Sequence, residues 1–519
     1  MKNTNIADWV IRTGIFYLCI PNVIFLLSWV NPWLGLPLSI LLIYACTRVI
    51  LLNNSNCKNN TDNKNLLLAA FMALLITALS GTGGLTSQPP DYLKHNLLFH
   101  DLITSDWPVY YKTDDGKFQI LCYSSAYYLV PALIAKVFDV KILDLITFLW
   151  TFTGLFIFFC WVTYFGKNAP ARTLLIFYLY AGLGIVWYVF KHSPFAALLC
   201  RETSQATLSL HLQNVGLIHN YLDSWAKIFN TPQHALASWL GTALIYELAW
   251  VRKNFVFAAL IWSLTLLWSP FTSLGLAVVL AISYIQPGIK KMPTHPDVTF
   301  IAACLVFVVA VYYNTHLPMD FSGPIWQVGK GVDYALYYFL FILIQVFIPV
   351  ACIYSIDSRY RVLEHLRPLF WASTIFLIIL PLYKIGYAND LRLQASTPAL
   401  VFIALSASRC LTSKDFSVRK PVFLTFSIIF FSGATFPLCR PILNLCGEKT
   451  DYSVKHSLES MNIHNLSELN VYYANFNASA QYLGNVNSPV ARYILRQPST
   501  KPKLFSPYCR SPGNDLLRK

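Results

Sequence analysis

A chain of 519 residues with 56% hydrophobic and only 12% charged side chains, at a mean hydropathy of +0.50, is not a water-soluble globular protein, because soluble domains carry about 25% charged residues. The net charge of +15 does not point to nucleic acid, since no basic stripe is clustered; Lys and Arg kept in cytoplasmic loops give a membrane protein the same balance. Twelve cysteines without CxxC or Cys/His spacing argue against structural zinc.

The apolar runs approach the length needed to cross ~30 Å of hydrocarbon. They predict an all-α polytopic membrane protein with about thirteen transmembrane helices. In chain order the runs lie at roughly 13–30, 34–52, 66–82, 142–165, 171–190, 234–250, 254–268, 271–286, 298–314, 334–354, 368–383, 396–410 and 421–438. No small-residue cleavage site follows the first run, so it reads as a retained helix, not a signal peptide. With the N-terminus in the cytoplasm, "NNSNCKNNTDNKN", "GKNAPAR", "VRKN", "GIKKM", "DSRYRVLEHLRP" and "SRCLTSKDFSVRK" all fall on the cytoplasmic side. The long and chemically varied loops then share the outer face. Counting Ala126 to Phe138 as a span would invert every later loop, so that run reads as an amphipathic or partly inserted outer helix. The expected organisation is a membrane module over 1–438, with a first large outer loop at about 83–141, and an extracytoplasmic segment over 439–519. Cys439, Cys446 and Cys509 in that segment are eligible for a disulfide, among themselves or with Cys122 or Cys200.

Three outer stretches carry dense polar chemistry. In "TSQPPDYLKHNLLFHDLITSDWPVYYK" (86–112) the prolines stop helix continuation. "DYLKHNLLFHDLI" then reads as an amphipathic helix, with Asp91, Lys94, His95 and Asp101 able to share or adjoin a polar face over Leu93, Leu97, Leu98 and Leu102. Asp91 is placed to be a helix N-cap, a catalytic base, or both. "FNTPQHALASW" sets Gln233 and His234 at a helix start, with Asn230 or Thr231 as cap and Pro232 in the first turn. "LYKIGYANDLRLQAST" carries Lys384, Asn389, Asp390 and Arg392. Two cations in so short an outer loop fit a phosphate, which Arg contacts bidentately, or an internal Asp390–Arg392 pair. Asp114-Asp115-Gly116 reads as a turn.

"GTGGLTSQPPDYLKHNLLFHDLITSDWPVYY", "TPQHAL" and "NDLRLQAS", with "NASAQYLGNVNSPVARYIL" as a weaker fourth block, resemble a bacterial subset of the GT-C superfamily of membrane glycosyltransferases. The resemblance implies a helical membrane module with outer juxtamembrane helices and a sugar donor on a polyprenyl phosphate or pyrophosphate. It implies an acceptor hydroxyl on a glycan, lipid-linked polysaccharide or protein, and Asp91 as general base. Two features depart from the pattern. Two spans precede the one leading into the loop, where many relatives have one. The loop lacks Asp-X-Asp, which favours a metal-independent reaction with no cofactor. The leaving phosphate would need cations or donors set in advance; Arg392 and Lys384 are the candidates, with His234 and Lys94 assisting, and Gln233, His95, Asp101, Asn389 and Asp390 complete the substrate-binding set. The expected location is a bacterial inner membrane, N-terminus cytoplasmic and C-terminus periplasmic.

Three other classes compete. An outer-face polysaccharide ligase would use Arg and need no Asp base. A flippase-type transporter would carry ionisable residues or broken helices near the bilayer midplane, whereas Glu247 falls near a cytoplasmic end and no internal repeat is visible. A non-enzymatic assembly partner would tolerate Asp91→Asn.

Overall fold

In the computed structural model the apolar runs become helices, which satisfy their backbone hydrogen bonds internally as hydrocarbon requires. The structure describes residues 6–52, 63–89, 91–112, 118–181, 183, 221–285, 294–318, 322–328, 332–386, 389–413, 427, 432–446, 466 and 479–498. Among the described residues seven helices are long and apolar enough to cross a membrane: Ile6–Ser28, Pro32–Leu52, Val140–Phe165, Pro296–Tyr313, Tyr338–Tyr360, Glu364–Leu382 and Asp390–Thr412. The chain is therefore mostly helical and membrane-embedded in several passes. The described residues thus hold seven such helices against the thirteen expected for the chain. Apolar sequence at Phe255–Thr265, for example, forms only an 11-residue helix, about 16 Å long at 1.5 Å per residue. Most of 421–438 and of 182–190 lies outside the described residues, as do the Asp114-Asp115-Gly116 turn, Cys200 and Cys509.

The run from Ala126 behaves as its length dictates. Helix Ala126–Val137 has 12 residues, about 18 Å, too short to cross. Tyr127, Tyr128 and Leu129 are buried, while Val137 and Phe138 are exposed. At the bundle centre, helix Pro270–Ile285 packs against Asp390–Thr412. The contact is close enough that a Cβ on Gly275 would strike the Ala395 carbonyl. Helix 390–412 is the most enclosed of the seven, with 83% of its apolar window buried.

Side-chain pairs sort the loops into two ends. At one end Asp8 meets Arg252 at 2.5 Å, Asp357 meets Arg367 at 2.5 Å, and Arg48 pairs with Asp297. The Arg409 guanidinium lies 4.9 Å from the Phe165 ring centre, and buried Glu247 accepts from Trp161 Nε1 at 2.9 Å. These residues border the loops rich in Lys and Arg. At the other end lie the described parts of 83–125 and 314–324, the 223–234 segment and the described tail, joined by the hydrogen bonds given below.

The tail is woven into that second end. Strands Tyr110–Lys112 and Phe118–Leu121 pair antiparallel, and Leu483–Gly484 adds as a third strand. Asn31 N–H donates to Ile494 O at 2.8 Å, and Arg496 N–H donates to Trp29 O at 2.9 Å, tying the tail to the turn between the first two spans. The described part of 439–519 is thus packed as one body with the module. Among the described cysteines no disulfide forms: Cys122 is buried, and Cys439 and Cys446 are exposed and free.

Candidate functional site

Helix Tyr92–Thr104 begins where the prolines end the preceding segment, and Asp91 stands at its N-terminus. The Asp91 carbonyl accepts from Lys94 and His95 N–H at 3.2 and 3.4 Å. Its side chain does not cap the helix. Asp91 has helical φ and ψ (−61°, −22°), whereas a capping side chain is delivered from the extended region. The carboxylate instead meets Lys94 Nζ at 2.6 Å. Burial alone would raise this carboxyl, but the charge and hydrogen bond of the Lys94 ammonium outweigh it and hold Asp91 below the ordinary carboxylate value.

His95 is buried and clamped from both sides. Nε2–H donates to Asn230 O at 2.9 Å, and Nδ1 lies 2.5 Å from Tyr128 Oη. A carbonyl can only accept, so the Nε2 proton is assigned and Nδ1 receives the Tyr128 hydroxyl. Burial pushes the imidazole down to about 4, so the ring is neutral at pH 7.

Asp101 is not part of the same site. It sits ten residues on, about 15 Å along the axis, and is 2% exposed. It accepts from Tyr111 Oη at 2.7 Å and Leu466 N–H at 3.0 Å, with His100 Nδ1 at 3.1 Å. The bond to Leu466 ties the helix to the tail, and Asp101 stands outside the lining of the cavity that Asp91 lines.

Pro232 opens helix Pro232–Ile245, which presents Gln233 and His234 from its first turn. Gln233 Nε2 donates to Tyr123 Oη at 3.2 Å, and its buried Oε1 has no hydrogen-bond partner. His234 Nδ1 lies 2.7 Å from Ser269 Oγ, which also accepts from Thr272 N–H.

The third stretch divides. Asn389 is fully buried at φ 56°, and its Oδ1 accepts from Arg392 and Ile385 N–H at 3.4 Å each. It is therefore the cap of helix 390–412, and it stands outside the lining of the cavity described next. Asp390, Leu393 and Gln394 share the side of that helix that faces a cavity. Arg392, about 200° around the axis from Asp390, points away. Its side chain is 0% exposed, and its guanidinium carbon lies 6.0 Å from the Phe341 ring centre. Among the described residues no ion pair joins it to Asp390. Lys384 is buried on a short strand paired with Gly323–Pro324, and burial, then Arg392, lowers its ammonium. Arg392 and Lys384 stand outside the cavity lining, so neither is placed to meet a phosphate there. Behind the same wall, Lys227 donates to Gln394 Oε1 at 3.1 Å and to Leu393 O.

Asp91, Lys94, His95, Gln233, His234 and Asp390 thus line one cavity of about 590 Å³. Its wall also includes Tyr123, His316, Gln481 and Tyr482, none of which stands in the three polar stretches. Tyr482 lies within the fourth block, but nothing in its local sequence marks it as a wall residue. Among the described residues no three His, Cys, Asp or Glu side chains cluster as metal ligands. Compared with protein-family models, curated proteins and solved structures, the chain matches none.

Proposed function

We propose that this chain is a GT-C-like glycosyltransferase of a bacterial cytoplasmic membrane, moving a sugar from a polyprenyl phosphate to an acceptor hydroxyl at the outer face. The observation that carries the reading is convergence: three stretches separated by more than a hundred residues each meet at one cavity, at the bundle end opposite the Lys- and Arg-rich loops. The positive-inside rule makes that end the outer one.

Asp91 acts as general base. Ionised at neutral pH, it takes the acceptor proton as the acceptor oxygen bonds to the anomeric carbon and the bond from that carbon to the phosphate oxygen breaks. Such a base contributes ~10²–10⁴-fold. The leaving phosphate gains charge and needs a cation in place. Lys94 takes this role, because it is the Lys or Arg that lines the described cavity. As Lys94 turns toward the phosphate it loosens its hold on Asp91, which makes Asp91 more basic when a proton must be taken. Asp390 lines the same cavity.

The test is mass spectrometry of lipid carried through purification in mild detergent. A polyprenyl phosphate or its glycosylated form, enriched over bulk phospholipid, is the expected result. Phospholipid alone, with no retention of added polyprenyl-phosphate sugar, overturns the reading.

A further inference from the structure

One wall of the cavity is unlike the charged one. Strand pairing sets Ile120 opposite Gly484 and Leu121 opposite Leu483, and Cys122 N–H donates to Tyr482 O at 2.8 Å. That register brings Tyr123 beside Tyr482, with ring centres 4.7 Å apart and planes inclined by 46°. The pair is held from behind. Tyr123 N–H donates to Tyr312 Oη at 2.9 Å, and that hydroxyl donates to Leu121 O at 3.0 Å. On the tail side His316 Nδ1 lies 2.6 Å from Leu317 O and Nε2 lies 3.1 Å from Gln481 O.

Above the rings stands Gln233, 1% exposed, with one end of its amide on Tyr123 Oη and the other without a partner. Reversing the amide exchanges the two ends and still leaves one polar atom uncommitted. A buried polar atom left unmatched costs about 1–3 kcal/mol, so a ligand that supplies the match is favoured. The lining therefore combines two tyrosine rings and one buried amide with the charged side chains of Asp91, Lys94 and Asp390. Pockets of about 300–1,000 Å³ hold small organic ligands, and 590 Å³ leaves room beyond a phosphate. A pyranose matches this wall: its C–H face is apolar and packs on aromatic rings, and its rim carries hydroxyls for an amide.

We infer that Tyr123, Tyr482 and Gln233 form the subsite that grips a sugar ring, with Tyr482 supplied by the C-terminal tail. The inference rests on the glycosyl-transfer reading and adds which residues select for sugar.

The test uses the full chain in nanodiscs and three probes: a bare polyprenyl phosphate, the same lipid phosphate carrying a hexose, and a free methyl hexoside. Wild type binds one of the sugar-bearing probes about tenfold more tightly than Tyr482→Ala or Gln233→Leu does, the size expected for one aromatic contact plus one hydrogen bond. Both variants keep wild-type affinity for the bare lipid, and Tyr482→Phe, which retains the ring, keeps the sugar preference. A preference expressed on the glycosyl lipid assigns the ring to the donor; one expressed on the methyl hexoside assigns it to the acceptor. Gln233→Leu lies on a different element, so misfolding of the tail variant does not spare the proposal. A sugar preference that survives both variants overturns the subsite alone. A wild type that binds bare and glycosylated lipid equally and ignores the hexoside overturns the subsite together with the donor reading.

Discussion

Asp91 and Lys94 form an ion pair of 2.6 Å across the first turn of helix Tyr92–Thr104, inside the cavity that also receives Gln233, His234 and Asp390. The pair joins the group that must be ionised to act as base with the cation nearest to it. Lys94 lowers the Asp91 carboxyl against the raising effect of burial. A base is active above its pKa, so activity should persist to unusually acid pH and fall only below the ordinary carboxylate range. Lys94→Gln removes the lowering cause and leaves burial, so the acid limb should move upward in pH. Rate profiles of the two proteins from pH 3 to 8 check this; an unmoved limb in the variant separates Lys94 from the base.

His95 gives a pH effect of a different kind. Its folded-state pKa, about 4, lies below the ~6.5 of an unfolded His. The unfolded state therefore binds more protons between these values, and stability rises with pH across that window. The contribution is fully present above pH 6.5 and is lost as pH falls toward 4. Thermal unfolding between pH 7 and 4.5 should show a fall in wild type that shrinks in His95→Gln.

Arg392 and Lys94 should separate cleanly. Arg392 is 0% exposed and faces away from the cavity, so Arg392→Lys and Arg392→Ala should lower yield and thermal stability and leave donor KM for the folded fraction unchanged. Lys94→Ala should weaken donor use roughly ten- to a hundredfold, the scale of a lost charge-assisted contact of about 1.5–3 kcal/mol. Donor kinetics on folded fractions decide between them.

The part of the site that was legible in the sequence is the part that local periodicity controls. Asp91, Lys94 and His95 fall within one turn and a third of helix, and the alternation of Lys- and Arg-rich loops brought the three polar stretches to a common end. Phase misled where the element was misread. Taking "NDLRLQAS" as loop gave Arg392 no direction, whereas a helix starting at Asp390 turns it behind the wall. Asp101 shares the helix but lies too far along it. Tyr482 depends on a two-residue strand paired with a hairpin more than 360 residues earlier, and no local pattern encodes that register. His316 stands in a loop whose residues gave no reason to choose it.

Sidedness can be read from native thiols. Cys439 and Cys446 are exposed on a helix whose Asn444 Nδ2 donates to Leu79 O and Ser87 O at 3.1 Å each, at the cavity end. An impermeant maleimide added outside intact cells should label them and miss a Ser413→Cys variant beside the basic loops. Labelling of the 413 position with protection of 439 and 446 reverses the orientation.

The most direct measurement is sugar transfer by purified protein in liposomes, from a polyprenyl-phosphate hexose to a hydroxyl acceptor, with wild type and Asp91→Asn side by side. The account predicts transfer by wild type and a loss of ~10²–10⁴-fold in Asp91→Asn, with thermal unfolding unchanged and binding of the bare lipid phosphate not weakened. Undiminished transfer by well-folded Asp91→Asn would contradict it.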